Sequence, residues 1–289
     1  MLRISVKSLK FQPSQIKSFR TLVWNFYRKE GRHNLPWRKT KTPYKILVSE
    51  IMLQQTQVAR VLEKYPKFLK KFPTITALAK APLTEVLTIW QGMGCNRRAL
   101  ALHRLAKEIV TAHKGKIPHT RNELEALPGI GPYTAGAIRA FAFNEPEVFI
   151  ETNIRRVFIH HFFSHQLGNE TSKLVGDKEI LPFVEKTLDT KNPREWYFAL
   201  MDYGAHLSKI IKNPNMKSAY YLKQKKFEGS HRQLRGRALK YLHTAGKCTL
   251  ALCARILEIT PEKAQTVLDE FVREGFMQKN GKNYFIKNS

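Results

Sequence analysis

The chain has 289 residues, 43% of them hydrophobic, enough for one large core or two to three smaller ones. Its 50 Lys+Arg against 23 Asp+Glu leave a formal net charge of +27, which points to a polyanionic partner held with strong salt dependence and argues against an inert surface. No apolar run is long enough for a bilayer span, no lysine-rich amphipathic helix dominates, and Cys95, Cys248 and Cys253 are too few and too scattered for a disulfide framework, so a reducing compartment and no membrane partner are expected.

The first 29 residues contain no Asp or Glu, a feature of organellar targeting peptides. Against that, Ile16, Phe19, Leu22, Val23 and Phe26 set a helical period over residues 15–28, so residues 1–10 read as a basic extension and no signal peptide is assigned. Helical periodicity continues to about residue 226, with strand signals nearly absent. It is punctuated by LPWR (35–38), FPT (72–74), GMG (92–94), KGK (114–116) and LPGIGP (127–132), which predicts an all-α first domain.

SEIMLQQTQ (49–57) puts a carboxylate on an apolar stripe. In a helix the same-face neighbours of Glu50 are Ile46, Leu47, Leu53 and Gln54, three of them apolar. A buried acid is kept only when paired, neutral or needed, and hydrophobic surroundings raise its pKa, so Glu50 suits proton donation near neutral pH.

Thr120 and Glu123 have the spacing of a capping box, and Pro132 suits the first turn of a following helix. Between them LPGIGPYTAGAI (127–138) joins two helices by a glycine-rich turn, where Gly129 and Gly131 let backbone N–H groups approach a phosphate oxygen closely. A Gly-x-Gly turn alone is more often only a tight corner; in so basic a chain the phosphate reading prevails.

VFIETNIRRV (148–157) brings Glu151 and Asn153 just ahead of Arg155 and Arg156. Taken alone it is a solvated loop before an arginine-bearing helix. With Glu50 it supplies the two carboxyl groups that cleavage of a glycosidic bond needs, one protonated for the leaving group and one ionised to face the oxocarbenium-like transition state. In HHFFSH (160–165), His161 and His165 have i, i+4 spacing that can hold a metal, but no nearby Cys or H-E-x-x-H motif supports it, and no metal site is assigned.

After KFEGS (226–230) three helices are predicted, RQLRGRALKYLHTAG, TLALCARILEI and PEKAQTVLDEFVREG. FMQKNGKNYFIK then alternates apolar and polar residues around an Asn-Gly turn, so the layout is that of a winged helix. Residues 231–289 hold 11 Lys+Arg and 5 Asp+Glu, which favours DNA contact over a protein-interaction role.

LPWR, PYKILVSEIMLQQTQV (43–58), LPGIGPYTAGAI, ETNIRRV (151–157) and ALMDYGA (199–205) follow the order found in helix-hairpin-helix base-excision DNA glycosylases. Over about residues 15–208 the chain resembles the MutY-type adenine glycosylases among them. The resemblance implies a mainly α, two-lobed helix-hairpin-helix glycosylase domain over 1–228, with a six-helix lobe over about 35–142 and a second lobe from 1–34 plus 143–228, ahead of a winged-helix domain over 229–289. It implies a monomer acting on double-stranded DNA with a mismatch or oxidised base, cytoplasmic and nucleoid-associated or nuclear, not secreted. The reaction implied is hydrolysis of the N-glycosidic bond of adenine opposite guanine or 8-oxoguanine, after the base is flipped.

Residue by residue, Glu50 matches the acid that protonates adenine at N7 and later helps activate water, and Asn153 the amide that supports the second carboxylate. Tyr133 stands where strand-cleaving relatives carry a lysine, which implies base removal without a Schiff base; thymine-mismatch relatives share this Tyr. Arg38 and Leu53 match the flipped-base pocket and Gln55 the wedge in the stack. Trp37, Thr56, Gly129, Gly131, Arg155 and Arg156 complete the expected DNA-binding set.

The departures are specific. Glu151 stands where relatives have an aspartate, one methylene shorter, and a displacement of about 1 Å in an active site can cost ~10²-fold. HLSKIIKNPNMKSAYYLKQ (206–224) has no cysteine where most relatives ligate an iron–sulfur cluster, so no cluster and no cofactor are expected beyond room for a monovalent cation at the hairpin. Ile210, Ile211, Tyr220, Tyr221 and Leu222 are expected to supply packing there, and the lysines phosphate contacts. The winged helix takes the place of a domain that reads 8-oxoguanine, Cys95 replaces an aromatic, and Phe198 replaces a polar residue that often contacts adenine. A thymine or uracil mismatch glycosylase and a catalytically weakened DNA-binding protein are therefore the alternatives.

Overall fold

The computed structural model describes residues 13–163, 174–222 and 226–287. The chain runs α1 (Pro13–Glu30), a 3-10 turn (Pro36–Arg38), α2 (Pro43–Leu53), α3 (Val58–Lys71), α4 (Ile75–Lys80), α5 (Leu83–Trp90) and α6 (Arg97–Ala112). Next come α7 (Arg121–Ala126), α8 (Pro132–Phe143), α9 (Thr152–Phe158), a π-helical turn (Ile159–Phe163), α10 (Asp177–Thr187), α11 (Pro193–Ile210) and a 3-10 turn (Pro214–Lys217). The C-terminal part is α12 (His231–Ala245), β1 (Lys247–Thr249), α13 (Leu250–Leu257), α14 (Pro261–Glu274), β2 (Met277–Asn280) and β3 (Asn283–Ile286). Among the described residues no helix is long and apolar enough to cross a membrane.

Two compact units share the chain. One comprises Met1–Ile46, His119–Glu125 and Ile130–Lys223. Its spine is α11, which Pro193 opens at a position where a missing N–H does no harm. Trp196, Tyr197, Ala199 and Leu200 of α11 are fully buried, and α1, α8 and α9 pack around it. Phe19, Val23 and Tyr27 of α1 recur every fourth residue and all face inward. At Gly204 the approach of α9 is too close for any side chain: a Cβ there would lie 2.3 Å from the Asn153 carbonyl oxygen. Stacked rings, Phe149 on Tyr197 at 3.9 Å and Phe141 on Phe198 at 4.6 Å, pack against α11 as well.

The other unit comprises Leu47–Pro118, Ala126–Gly129 and Gln224–Ser289. α6 is buried along Ala99, Leu102, Leu105, Ala106 and Ile109, and α4 and α5 pack on it. Val61, Tyr65 and Phe68 give α3 its apolar face. In the C-terminal part Ser230, Thr249 and Thr260 each cap a helix through the side-chain oxygen. The strands form one antiparallel sheet in the order β1-β3-β2. Glu274 and Gly275 at the end of α14 meet α6, where Arg104 Nη2 donates to the Glu274 carbonyl at 2.9 Å.

The three C-terminal helices and the hairpin form where the sequence predicts them; the strand β1 was not foreseen. Asn280 pairs with Asn283, so the hairpin loop is Gly281-Lys282, with φ +57° at Gly281, one place later than the Asn-Gly reading. The Thr120–Glu123 box closes, each backbone N–H reaching the other's side chain at 3.4 Å. Of the five residues expected to supply packing after α11, Ile211 packs against the core, whereas Ile210, Tyr220, Tyr221 and Leu222 are exposed, and Pro214, Asn215 and Ser218 are buried there instead. The extension over 1–10 and His165 lie outside the described residues.

Candidate functional site

Glu50 lies on α2 and is only 5% exposed, with Leu47, Val48, Ile51 and Met52 of the same helix almost fully buried. Of its four same-face neighbours, Ile46 and Leu47 are almost fully buried and Leu53 and Gln54 are half-buried. Beyond Leu53 the chain turns sharply. Gln55 is exposed with φ +52°, in the left-handed region that a non-glycine residue rarely adopts, and Thr56 N–H closes the turn onto the Leu53 carbonyl.

The loop is held from beneath by Arg98 at the start of α6. Its Nη1 donates to the carbonyls of Ile51 and Met52, both at 2.9 Å, and so closes the C-terminal end of α2. Its Nη2 reaches Thr56 Oγ1 at 2.9 Å, Met93 O at 3.0 Å and Gly94 O at 3.2 Å. Sequence reasoning missed this residue; the available signal was an arginine inside the apolar run RRALALHRL.

At the hairpin, Gly129 is exposed with φ +79°, and a Cβ there would come within 2.8 Å of the Ala101 methyl, so the turn requires glycine. Gly131 is exposed and forms the N-cap of α8, which starts at Pro132. Tyr133 in the first turn of α8 is partly buried, with its ring edge-on to Phe149 at 5.7 Å.

Glu151 is the N-cap of α9. Its Oε1 accepts from the backbone N–H of Asn153 at 2.6 Å and of Ile154 at 2.8 Å, and its Oε2 from Asn153 Nδ2 at 3.2 Å. Burial raises this carboxyl above the ordinary glutamate range; the two backbone donors and then the charges of Arg156 and Arg155 act in the opposite direction.

Arg156, expected to face DNA, is 8% exposed and donates inward instead. Nη1 reaches Asn153 Oδ1 at 2.7 Å and Gly204 O at 2.8 Å, and Nε reaches Asn213 Oδ1 at 3.2 Å. Because a guanidinium only donates, it fixes Asn153 with its oxygen toward Arg156 and its NH2 toward Glu151. Asn215, whose Nδ2 donates to Thr152 O at 2.9 Å, ties the segment after α11 to the first residue of α9. Arg155 is engaged as well, bidentate to Asp177 at 2.7 and 2.8 Å with its guanidinium 5.6 Å from the Tyr220 ring centroid.

Trp37 is buried, and the Arg38 guanidinium is bidentate to Asp202 of ALMDYGA at 2.6 and 2.8 Å. Arg32 adds its backbone N–H and Nε to the same carboxylate at 2.7 and 2.6 Å. Burial pushes the Asp202 carboxyl up, but the hydrogen bonds and charges of Arg38 and then Arg32 outweigh it and hold the group below its usual range. Phe198 is buried beneath Arg38, its ring centroid 4.5 Å from the guanidinium carbon, rather than presenting a polar group. His161 shares a hydrogen bond of 2.9 Å with Tyr203 Oη, and burial followed by His160 lowers its pKa to about 4. Among the described residues no group of three or more His, Cys, Asp or Glu could hold a metal ion.

A family model described as "HhH-GPD superfamily base excision DNA repair protein" matches residues 48–177. An adenine DNA glycosylase of Buchnera aphidicola subsp. Baizongia pistaciae is 38% identical over 191 residues, 65% of this chain and 52% of that protein. A thymine/uracil-DNA glycosylase of Pyrobaculum aerophilum is 32% identical over 189 residues, 64% of this chain and 81% of that protein. Among solved structures, a thermostable thymine-DNA glycosylase superposes with a TM-score of 0.60 at 27% identity, covering 71% of this chain and 93% of that one. The chain thus spans about half the length of the adenine glycosylase it matches.

Proposed function

The chain belongs to the HhH-GPD superfamily of base-excision DNA repair proteins, and on that footing we propose that it is a monofunctional DNA glycosylase that releases mispaired adenine from duplex DNA. The observation that carries this reading is the hydrogen-bonded series Glu151–Asn153–Arg156 at the start of α9, a carboxylate held at both oxygens.

The flipped adenine takes the proton of Glu50 at N7, which makes the base a neutral leaving group as the C1′–N9 bond breaks. Glu151, oriented by Asn153, offsets the positive charge that builds on the sugar. Water then adds at C1′ and gives its proton back to the Glu50 carboxylate, leaving an abasic site. Tyr133, in place of an amine, offers no Schiff-base route to strand cleavage. Gln55, exposed on its strained turn, is the side chain that enters the stack, with Leu53 and Thr56 beside it. Gly129 and Gly131 hold a phosphate on the hairpin. Arg38, Trp37 and Arg156 act from within, Arg38 through Asp202 and Arg156 through Asn153.

An iron–sulfur cluster does not fit this chain: its three cysteines cannot supply four thiolates, and none follows ALMDYGA before Cys248. We read residues 229–289 as a winged-helix domain, a reading supported by the order helix, strand, helix, helix, strand, strand and by the β1-β3-β2 sheet. A thymine or uracil target is the second reading, favoured by the Pyrobaculum relative and by Phe198 standing where a polar base contact was expected.

Single-turnover release from duplexes carrying A opposite 8-oxoguanine, A opposite G, T opposite G and U opposite G tests all of this. Adenine release is expected, reduced by about 10²–10⁴-fold in Glu50→Gln with duplex binding unchanged. Release of T or U alone would establish the second reading. No release from any duplex would end the enzymatic one.

A further inference from the structure

In the C-terminal part, the exposed side of α14 and the outer face of the sheet differ in the charge they offer a polyanion. The exposed side of α14 carries Glu262, Lys263, Asp269 and Arg273, two acids and two bases. The half-buried carboxylates Glu270 and Glu274 are engaged elsewhere: Glu270 with Arg235 and, at 2.9 Å, with His231, and Glu274 with Arg235 at 2.5 Å. The carboxyl end of α14 is closed by Arg104. A helix face whose bases are matched by acids gains little from the counterion release that dominates DNA affinity.

The sheet is different. Lys247, Phe285 and Gln278 are paired across β1, β3 and β2, as are Thr249, Asn283 and Asn280, so these side chains share one face. The other face buries Cys248, Met277, Tyr284 and Ile286. On the outer face Lys247, Gln278 and Asn280 are exposed, and Lys282 in the loop and Lys287 after β3 are exposed beside it. No carboxylate occurs in β1, β2, β3 or the loop.

We propose that this outer sheet face is a duplex-DNA surface, with Lys247, Lys282 and Lys287 on phosphates and the amides of Gln278, Asn280 and Asn283 beside them, and that α14 is not a DNA-reading helix. The scale suits the partner. Four residues of β3 run about 13 Å, and duplex of that length presents about seven or eight phosphates. Amides and lysines around one half-buried ring, Phe285, make contacts that any sequence can satisfy, so the surface adds grip without choosing the target base.

The proposal rests on DNA being the partner but not on base release. The full chain is titrated into a fluorescent duplex without a mismatch, at NaCl concentrations spanning a fourfold range. Each lysine withdrawn from a phosphate lowers the slope of log K against log salt by about 0.9. Lys247→Gln/Lys282→Gln/Lys287→Gln is therefore expected to lower it by roughly 2.7, and each single change by about 0.9. Lys263→Gln/Arg273→Gln on α14 is expected to leave it unchanged. A wild-type slope in the triple variant, or an equal fall in the α14 variant, would overturn the proposal and turn attention to an acidic protein as occupant. A chain that shows the expected slopes yet releases no base would keep this surface and lose only the catalytic reading.

Discussion

Glu151 is longer by one methylene than the aspartate expected at its position, and the extra reach is taken up at the N-terminus of α9. Oε1 sits on two backbone N–H groups while Oε2 meets Asn153 Nδ2, so the longer arm still ends in a fixed orientation. Burial raises its pKa, and the charge of Arg156 is among the opposing influences. The proposed reaction needs the ionised form. On the acid side the rate is therefore lost as pH falls through this raised pKa, with an acid limb above the ordinary glutamate value of 4.5, while the need for a protonated Glu50 sets the opposite limb. Removing a charge that favours ionisation, as in Arg156→Leu, is expected to move that limb to higher pH, with partial return in Arg156→Lys. A pH–rate profile under single-turnover conditions reads this directly, and an unmoved limb would mean that Arg156 has only a packing role. Glu50 drew notice in the sequence as an acid on an apolar stripe, Glu151 only once paired with it, and Asn153 through the family resemblance. The role of Arg156 was not legible there: although Asn153 is only three residues away, the contacts that turn the guanidinium inward are to Gly204 and Asn213, 48 and 57 residues on.

Elements show the same division. The helix bearing Glu50, the hairpin and the helix behind Glu151 could all be read from periodicity, Gly and Pro. What fixes the far end of α2 could not, since Arg98 binds mainly backbone carbonyls, and carbonyls carry no sequence identity. The packing expected of Ile210, Tyr220, Tyr221 and Leu222 failed for a related reason: buried Asn215 and half-buried Asn213, through directional hydrogen bonds, tether that segment where apolar area was expected to. Arg98→Ala would leave the carbonyls of Ile51 and Met52 without this donor, and those of Met93 and Gly94 with only Thr56 Oγ1 and Trp90 Nε1, a change expected to destabilise the chain by about 3 kcal/mol. Residues 53–57 would then exchange amide hydrogens faster than in wild type, and base release would fall more than duplex binding, since Gln55 could no longer hold its left-handed conformation. Arg98→Lys, with one charged centre instead of a fork, should lie between the two. Exchange in 53–57 as slow in Arg98→Ala as in wild type would show that the turn holds itself.

At the scale of the whole molecule, the +27 charge is unevenly opposed. Several carboxylates are committed to arginines at close range, Asp202 to Arg32 and Arg38, Asp177 to Arg155, Glu147 to Arg121 and Arg139, and Glu270 and Glu274 to Arg235. Such pairs are screened little by salt, whereas the remaining surface cations repel one another through water over a Debye length of about 10 Å at 0.1 M. The fold without DNA is thus under a self-repulsion that added salt relieves. Raising NaCl from 20 to 300 mM is expected to raise the melting temperature by about 3–6 °C, the shift that a gain of one to two kcal/mol produces in a chain of this size. The same salt weakens DNA binding steeply, so stability and affinity should move in opposite directions, and an activity loss at high salt accompanied by a higher melting temperature would come from weakened grip and not from unfolding. A melting temperature that stays flat or falls over this range would mean that the cations stand too far apart to repel. The basic composition would then act on the partner alone and leave the fold untouched.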